Sequence, residues 1–348
     1  MASSRERIVA TLDLEEPDRV PITELSIFPT IIEAVTGQSA TVESTVLCYE
    51  KLGMDMIPAA EKSNPLAYKT SEKGTWVDEW GIMWKNGAGM SQYIGGALKT
   101  PEDVKNFLPP DPDLPERIET VEETVKRVKG KMAVIGMLPG EKMGYLARGF
   151  VGFTVDMYRN PALAERLLDI TAEYNVKLGR RMADCGVDAL AITGDIADRD
   201  GPLFSPSLVR RFFIPCLKRM VRGLNKRNVP IVKHSDGNLN LILDDLVNTG
   251  IDALHSLEPI AGMEIKKVKE KYGHRICLIG NIDCSYTLCL KTPSETAQEV
   301  KECIRDASPG GGHILSSSNA FHSAVKIENI VAMIKASRDY GKYPIRAR

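Results

Sequence analysis

The sequence of 348 residues lacks the features that mark nucleic-acid or membrane proteins. Its 45 basic and 46 acidic side chains nearly cancel, and they form no basic stripe of the kind that phosphate binding requires. No apolar run approaches the roughly 18 residues that span a bilayer. Residues 1–19 carry charges throughout instead of an apolar signal core. We therefore expect a cytoplasmic protein with no nucleic-acid or membrane partner.

Cysteine, histidine and the common phosphate-binding motifs are also scarce. The seven cysteines lie far apart with no Cys-x-x-Cys, which disfavours a disulfide framework and a four-cysteine zinc site. The dinucleotide G-x-G-x-x-G, the P-loop and the G-x-S-x-G elbow of serine hydrolases are absent. All five histidines follow residue 230, so any histidine chemistry must come from the last third of the chain.

Short apolar runs alternate with amphipathic helical patterns, which is the rhythm of βα units around a parallel sheet. Eight runs are strand candidates, at residues 19–23, 55–59, 132–138, 188–196, 230–234, 252–257, 276–282 and 312–317. They predict an α/β fold, a TIM (β/α)8 barrel, as a single domain over residues 1–348. Residues 75–91, which contain Trp76, Trp80 and Trp84, predict a β-hairpin inserted in the N-terminal half.

Acids, imidazoles and amides gather where five successive predicted strands end, and this is where TIM barrels place their active sites. His234 and Asp236 are one residue apart, so extended backbone points both side chains to one face. They suit Zn²⁺, and Glu258 at the next strand end would complete three protein ligands. Direct substrate contact and a purely structural His–Asp pair stay open as alternatives. His255, on the opposite parity from Glu258, is expected to be a satisfied residue of the barrel wall.

These strand-end motifs resemble the uroporphyrinogen decarboxylase superfamily, in its branch of corrinoid-dependent methyltransferases. The resemblance covers nearly the whole chain and is most specific at residues 195–206, at Lys-His-Ser-Asp-Gly-Asn (233–238), and at residues 257–259, 278–283 and 311–319. It implies a TIM barrel. The true decarboxylases carry an arginine-rich segment after the first strand that holds the propionates of the porphyrinogen, whereas residues 21–28 contain no arginine.

Within the branch, the methyltransferases that act on coenzyme M bind zinc through a His-x-Cys pair and a distant cysteine. Here His234 is kept, while Asp236 and Asn319 stand at the cysteine positions. Oxygen ligands in place of thiolates suit a harder substrate atom. The pattern resembles the methyltransferase I components of anaerobic O-demethylases, which transfer a methyl group from an aryl methyl ether to the reduced corrinoid of a partner protein.

The resemblance implies a role for each candidate residue. His234, Asp236 and Asp195 would be catalytic, and His234, Asp236 and Glu258 would hold zinc. Asn281, Ser318, Asn319, Glu24 and Trp80 would bind substrate, with Glu61 also near the pocket mouth. The expected partners are a corrinoid protein and a small methylated substrate, of which a methoxylated aromatic is the first choice. A homodimer is also compatible with these expectations.

Three other functions stay open. A methylcobamide:thiol methyltransferase would share most of the site. A decarboxylase acting on a carboxylic acid would need cationic anchors near the strand ends, for which Lys233, Arg199 and Arg148 are available. A non-enzymatic corrinoid-binding or regulatory subunit would not need the polar strand ends at all.

Overall fold

Short strands and helices alternate along the molecule, which is a computed structural model that describes residues 2–62, 68–69, 74–87 and 91–346. In chain order the strands are β1 (Met56–Ala60), β2 (Tyr68–Lys69), β3 (Thr75–Val77), β4 (Ile82–Asn86), β5 (Ser91–Gly96), β6 (Ala133–Leu138), β7 (Ala189–Ile192), β8 (Ala197–Asp198), β9 (Gly201–Pro202), β10 (Ile231–Ser235), β11 (Ala253–Ser256), β12 (Cys277–Ile279) and β13 (His313–Ile314).

The helices cover the outside of the sheet, and several of them begin at typical start signals. At the start of one of them, the Thr292 side chain accepts the N–H of Glu295 and Pro293 follows the cap, which together favour helix initiation. In chain order the helices are α1 (Ser4–Leu12), α2 (Pro29–Thr36), α3 (Val42–Leu52), α4 (Pro101–Asn106), α5 (Glu119–Val128), α6 (Lys142–Arg148), α7 (Phe150–Arg159), α8 (Pro161–Asp184), α9 (Pro206–Leu208), α10 (Ile214–Leu224), α11 (Leu243–Val247), α12 (Ile265–Tyr272), α13 (Thr287–Leu290), α14 (Pro293–Ala307) and α15 (Ile327–Tyr340).

Seven strands pair in parallel in the order β1, β6, β7, β10, β11, β12 and β13, and the sheet curls until its two edges meet. The edges are joined by the segment before β1, where Ile22 bridges to Leu315 and Thr23 bridges to Met56. The N–H of Thr23 donates to the carbonyl of Leu315 at 3.0 Å. The expected parallel α/β architecture is confirmed, but the first predicted strand, 19–23, is an extended segment with isolated bridges instead of a regular strand.

The curled sheet has an inner and an outer face because successive side chains of a strand point to opposite sides. Leucines and other large apolar residues of the outer face pack against the helices. The inner face is narrow and is filled largely by small or β-branched side chains, among them Ala133, Ile135, Ala189, Ala191, Val232, Ala253 and Ile279. Val232 lies two residues before His234, so the alternation along β10 turns His234 towards the inside of the barrel.

The tryptophan-bearing segment forms a separate antiparallel sheet of β2, β3, β4 and β5. β3 and β4 pair as a hairpin, with Trp76 opposite Trp84. The insertion expected at 75–91 is therefore part of a larger sheet that reaches Gly96, and residues 88–90 lie outside the described residues. Trp80 differs from the other two tryptophans, because it is only 2% exposed and packs edge-on against Tyr174.

None of the helices in the described ranges has both the length and the apolar character needed to cross a bilayer.

A buried ion-pair cluster closes the amino-terminal end of the barrel. Asp55, immediately before β1, is fully buried. It accepts hydrogen bonds from Arg7 at 3.2 Å, from Arg19 at 2.8 Å and from the N–H of Ile22 at 2.9 Å. The two arginines also line a recess of about 680 Å³ at this end. Since the amino-terminal face of a TIM barrel serves stability, we interpret this recess as structural.

Replacing Asp55 by alanine should destabilise the protein, because two arginines lose a buried counter-charge and the closing segment loses an acceptor. We expect the free energy of unfolding to fall by roughly 3–5 kcal/mol, measured by urea unfolding followed through tryptophan fluorescence. Asp339→Ala on the exposed face of α15 is the matched control and should change stability by less than about 0.5 kcal/mol. An Asp55→Ala protein as stable as this control would contradict the interpretation.

Candidate active site

Two carboxylates and an imidazole converge at the carboxyl ends of β7 and β10. His234 Nε2 lies 3.6 Å from Asp195 Oδ1 and 3.9 Å from Asp236 Oδ1. All three potential ligand atoms lie within 4.8 Å of one another. We call Asp195, His234 and Asp236 the triad.

Backbone hydrogen bonds between the two strand ends fix the spacing of the triad. Asp195 Oδ1 accepts the N–H of Asp236 at 3.0 Å, and Ser235 Oγ accepts the N–H of Ile196 at 3.1 Å. Gly237 follows with a φ of +85°, and a Cβ at this position would lie 2.6 Å from the carbonyl oxygen of Asp198. Only glycine therefore lets the chain turn so closely beneath the neighbouring loop.

The Asp236 carboxyl is held in an environment that favours a cation beside it. Burial and the nearby charge of Asp195 raise the pKa of Asp236 to about 7. Asn319 Nδ2 donates to Oδ2 of Asp236, but the buried Oδ1 has no hydrogen-bond partner in the described part of the chain. A buried acceptor without a partner costs roughly 1–3 kcal/mol. A metal ion between Oδ1 and the His234 ring would satisfy it.

His234 is neutral and is oriented by a second histidine. Burial, followed by the charges of Lys233 and Lys142, lowers the pKa of His234 to about 3. Its Nδ1 lies 2.7 Å from Nδ1 of His255, its in-register neighbour on β11, and burial keeps His255 neutral as well. One ring must donate and the other must accept. When His234 donates, its Nε2 keeps a lone pair directed at the carboxylates, as metal ligation requires.

The triad therefore fits a divalent metal such as Zn²⁺, with one nitrogen and two oxygen ligands. Asp195 groups with His234 and Asp236, whereas Glu258, the expected third ligand, does not. The zinc site expected at His234, Asp236 and Glu258 stays a prediction. Glu258 Oε2 instead accepts the N–H of Gly237 at 2.9 Å. The backbone at Ser256 and Leu257, directly before Glu258, is left-handed, with φ of 94° and 53°.

A cavity of about 510 Å³ lies at the same end of the barrel. Most of its walls are apolar. Thr193, two residues before Asp195, and Lys142, whose charge acts on His234 and Asp236, connect the cavity to the triad. The lining residues are Leu25, Ser26, Ile27, Ile32, Thr45, Tyr49, Pro58, Ala60, Glu61, Met137, Leu138, Pro139, Lys142 and Thr193.

Of the three amide and hydroxyl candidates, Asn319 contacts the triad directly. Asn281 is buried, and its Nδ2 donates to the carbonyl of Leu257 at 2.9 Å. The Ser318 hydroxyl is buried against Cys284, 3.5 Å from its Sγ. Asn281 and Ser318 therefore support the strand ends from behind, and their expected role in substrate binding stays a prediction.

The remaining candidates, Glu61, Trp80 and Glu24, also differ in whether they line the cavity. Glu61 lines the cavity, where it accepts a hydrogen bond from the Tyr174 hydroxyl and lies 3.7 Å from the Arg117 guanidinium. Trp80 packs against Tyr174 and is absent from the lining. Glu24 is fully buried behind the lining and accepts the N–H of Ser317 at 3.2 Å.

A buried ion pair that the sequence did not suggest underlies the site. Lys233 is fully buried, and its Nζ donates to Glu141 and to the carbonyl of Gly194, the latter at 2.8 Å. The pair joins the ends of β6, β7 and β10. Glu141 and Lys142 directly follow Pro139-Gly140 at the end of a predicted strand, so the strand-end rule that identified His234 also applies to them.

The parallel barrel with a polar site at its carboxyl-terminal strand ends defines an enzyme of the TIM-barrel class. Residues 81–340 match the family model of uroporphyrinogen decarboxylase (URO-D), and the chain belongs to this family.

Its relatives include both decarboxylases and methyltransferases. The uroporphyrinogen decarboxylase of Actinobacillus succinogenes is 26% identical over 281 residues, covering 77% of each chain. The methylcobamide:CoM methyltransferase MtaA of Methanosarcina barkeri is 29% identical over 232 residues, covering 64% of each. A solved methyltransferase from Methanosarcina mazei has the same fold, with a TM-score of 0.79 over 98% of this chain and 99% of that one at 22% identity. The resemblance found in the sequence is confirmed.

Exchanging His255 for phenylalanine should weaken metal binding without removing a ligand, because the His234 ring loses its hydrogen-bond partner. We expect zinc affinity to fall about 10–100-fold, measured by competition with a chromophoric chelator. His274→Phe, at an exposed position before β12, is the control and should bind zinc like the wild type. Unchanged affinity in His255→Phe would show that His255 does not orient the ligand.

Glu24 should make stability depend on pH. Burial raises its pKa to about 8, so between pH 4.5 and 8 the native state keeps a proton that the unfolded state has lost. The free energy of unfolding therefore falls as pH rises through this interval. Glu24→Gln, which cannot ionise, should lack this decline.

The measurement is a series of urea midpoints from pH 5 to pH 8 for the wild type, Glu24→Gln and the exposed control Glu328→Gln. The gap between Glu24→Gln and the wild type should widen with pH, while the control follows the wild type. A constant gap would mean that Glu24 is ionised in the native state throughout.

Proposed function

We propose that this protein transfers a methyl group from an aryl methyl ether to the reduced corrinoid of a partner protein. The observation that carries the proposal is the apolar cavity of about 510 Å³ beside a triad that offers nitrogen and oxygen but no sulfur. The methyltransferases among its relatives support the reaction class, and the name of the Methanosarcina barkeri enzyme includes a methylated corrinoid.

The apolar walls suit an aromatic ring, because burying the ring removes apolar surface from water on both partners. Glu61 offers no free charge for a methylammonium donor, since Tyr174 and Arg117 already engage its carboxyl. Tyr49 is the one aromatic residue in the described lining, so the cage that would surround a quaternary ammonium is missing there. A neutral ether therefore fits better than a methylated amine.

Breaking the methyl–oxygen bond leaves negative charge on oxygen, and this charge must be stabilised in the transition state. Asp195, His234 and Asp236 would hold a metal, which when bound supplies a Lewis acid for such an oxygen. A hydrogen bond donated by His234 Nδ1 to His255 would keep the His234 ring in the ligating tautomer. Asn319 holds one oxygen of Asp236 so that the other faces the ring.

Decarboxylation of a tetrapyrrole with many carboxylates is less well supported. Of the three expected cationic anchors, Lys233 is buried with Glu141, and Arg148 pairs with Asp156 at 2.6 Å. Arg199 remains exposed. Methyl transfer to a thiol stays the second candidate, because the Methanosarcina barkeri relative is named for transfer to CoM.

The experiment supplies the protein with free reduced cobalamin, or with a purified corrinoid protein, and a panel of methyl donors. We expect 2-methoxyphenol to methylate the corrinoid and to release one equivalent of catechol, measured by the corrinoid absorbance and by chromatography. Trimethylamine and dimethyl sulfide should react at least about 100-fold more slowly. Two results would contradict the proposal. One is release of CO₂ from a porphyrinogen, and the other is transfer of the methyl group from methylated corrinoid to CoM while no ether reacts.

Asp236→Asn tests the triad in the same assay. The rate should fall by about 100-fold or more, because the amide weakens both metal binding and charge stabilisation. Asp339→Asn, distant on α15, should keep the wild-type rate. The triad would have no part in the mechanism if Asp236→Asn reacts at a near-normal rate and the wild type contains no stoichiometric metal.

A further inference from the structure

Lys142 occupies the boundary between the cavity and the triad. It is the first residue of α6, directly after the loop that follows β6, and it contributes to the cavity lining. Gly194, beside Asp195, approaches it closely, since a Cβ on Gly194 would lie 3.4 Å from the Lys142 backbone nitrogen. Lys142 therefore lines the cavity next to the loop that carries Asp195.

The other cations near the cavity are already neutralised. Lys233 pairs with Glu141, Arg148 pairs with Asp156, and Arg117 pairs with Glu79. Lys142 is the single cation among the described lining residues. In the part of the chain that the structure describes, its Nζ has no hydrogen-bond or ion-pair partner, although the side chain is half-buried. A half-buried, unpaired ammonium at a cavity wall is available to an anion.

We propose that Lys142 is a catalytic residue that stabilises the oxygen leaving the methyl group. This inference rests on the proposed function. As the methyl carbon bonds to the electron pair of the Co(I) acceptor, the carbon–oxygen bond breaks and its electron pair stays on oxygen. The new phenolate accepts a charge-assisted hydrogen bond from Lys142 and departs as an anion, so no proton transfer is required.

This role also defines the donor class. In an aryl ether the leaving oxygen becomes anionic, so the Lys142 ammonium stabilises the transition state of its reaction. A tetraalkylammonium donor starts positive and leaves as a neutral amine, so it is repelled at the start and gains no stabilisation at the end. Lys142 thus favours methoxylated aromatics over methylated amines by electrostatics, independently of cavity shape.

The kinetic test compares the wild type, Lys142→Met, Lys142→Gln and Lys142→Arg on methoxyarenes whose product phenols have pKa values from about 7 to about 10, the upper end matching tyrosine. Loss of the ammonium should slow the poorest leaving groups by about 100-fold or more and the best by about 10-fold. The plot of rate against phenol pKa should therefore become steeper, and Lys142→Arg should restore much of the wild-type slope. Lys335→Met, on the exposed face of α15, is the matched control.

A binding test needs no corrinoid. Titration with 4-nitrophenol, followed by the phenolate absorbance, should show that the wild type binds phenolate in preference to phenol. Lys142→Met and Lys142→Gln should lose this preference by about 10-fold, and Lys335→Met should keep it. Circular dichroism checks that each variant is folded. Because two neutral variants are used, the test remains possible if one of them does not fold.

The outcomes separate the two proposals. If no ether methylates the corrinoid with the wild type, the proposed function fails, and the catalytic role of Lys142 fails with it, even where Lys142 binds phenolate. If ethers react and the neutral variants keep both the wild-type slope and the phenolate preference, the role of Lys142 is overturned while the function stands. A steeper slope together with a lost phenolate preference supports both.

Discussion

The site depends on one buried ion pair beneath it. Lys233 and Glu141, 92 residues apart, meet where the ends of β6, β7 and β10 come together, and Lys233 also binds the carbonyl of Gly194. Burying two charges carries a large desolvation cost, which is offset only when geometry and further hydrogen bonds are good. Each member is a chain neighbour of a site residue, since Glu141 precedes Lys142 and Lys233 precedes His234. One interaction thus sets the relative positions of three strand ends.

The electrostatics above this pair explain why the site suits a cation and an anionic leaving group together. Lys233 and Lys142 help burial to keep His234 neutral, so that its ring remains a ligand. Asp195 and Asp236 repel each other, and the pKa of Asp236 rises as a result of burial and this repulsion. A metal ion would relieve the repulsion. Lys142 then remains free to act on the substrate side.

The relatives of this chain in the URO-D family include both decarboxylases and methyltransferases. This chain aligns with decarboxylases and with a methylcobamide:CoM methyltransferase at similar identity, 26% and 29%, so overall similarity does not separate the two activities. Function follows from the groups placed on the fold. Here two of the three cationic side chains expected to anchor a polycarboxylate, Lys233 and Arg148, pair with internal acids, and most walls of the cavity are apolar. The local chemistry therefore favours methyl transfer.

The sequence by itself determined the parallel sheet, most of its strands and the shared face of His234 and Asp236, because these depend on local alternation along one strand. The family resemblance located the strand-end motifs. Only the tertiary structure brought Asp195, 41 residues from Asp236, to the position where Glu258 was expected, and placed His255 against His234. It also brought Lys142 to the cavity. The physical reason is that these contacts depend on strand order, barrel curvature and the left-handed turn at Ser256 and Leu257, which spacing along the chain does not encode.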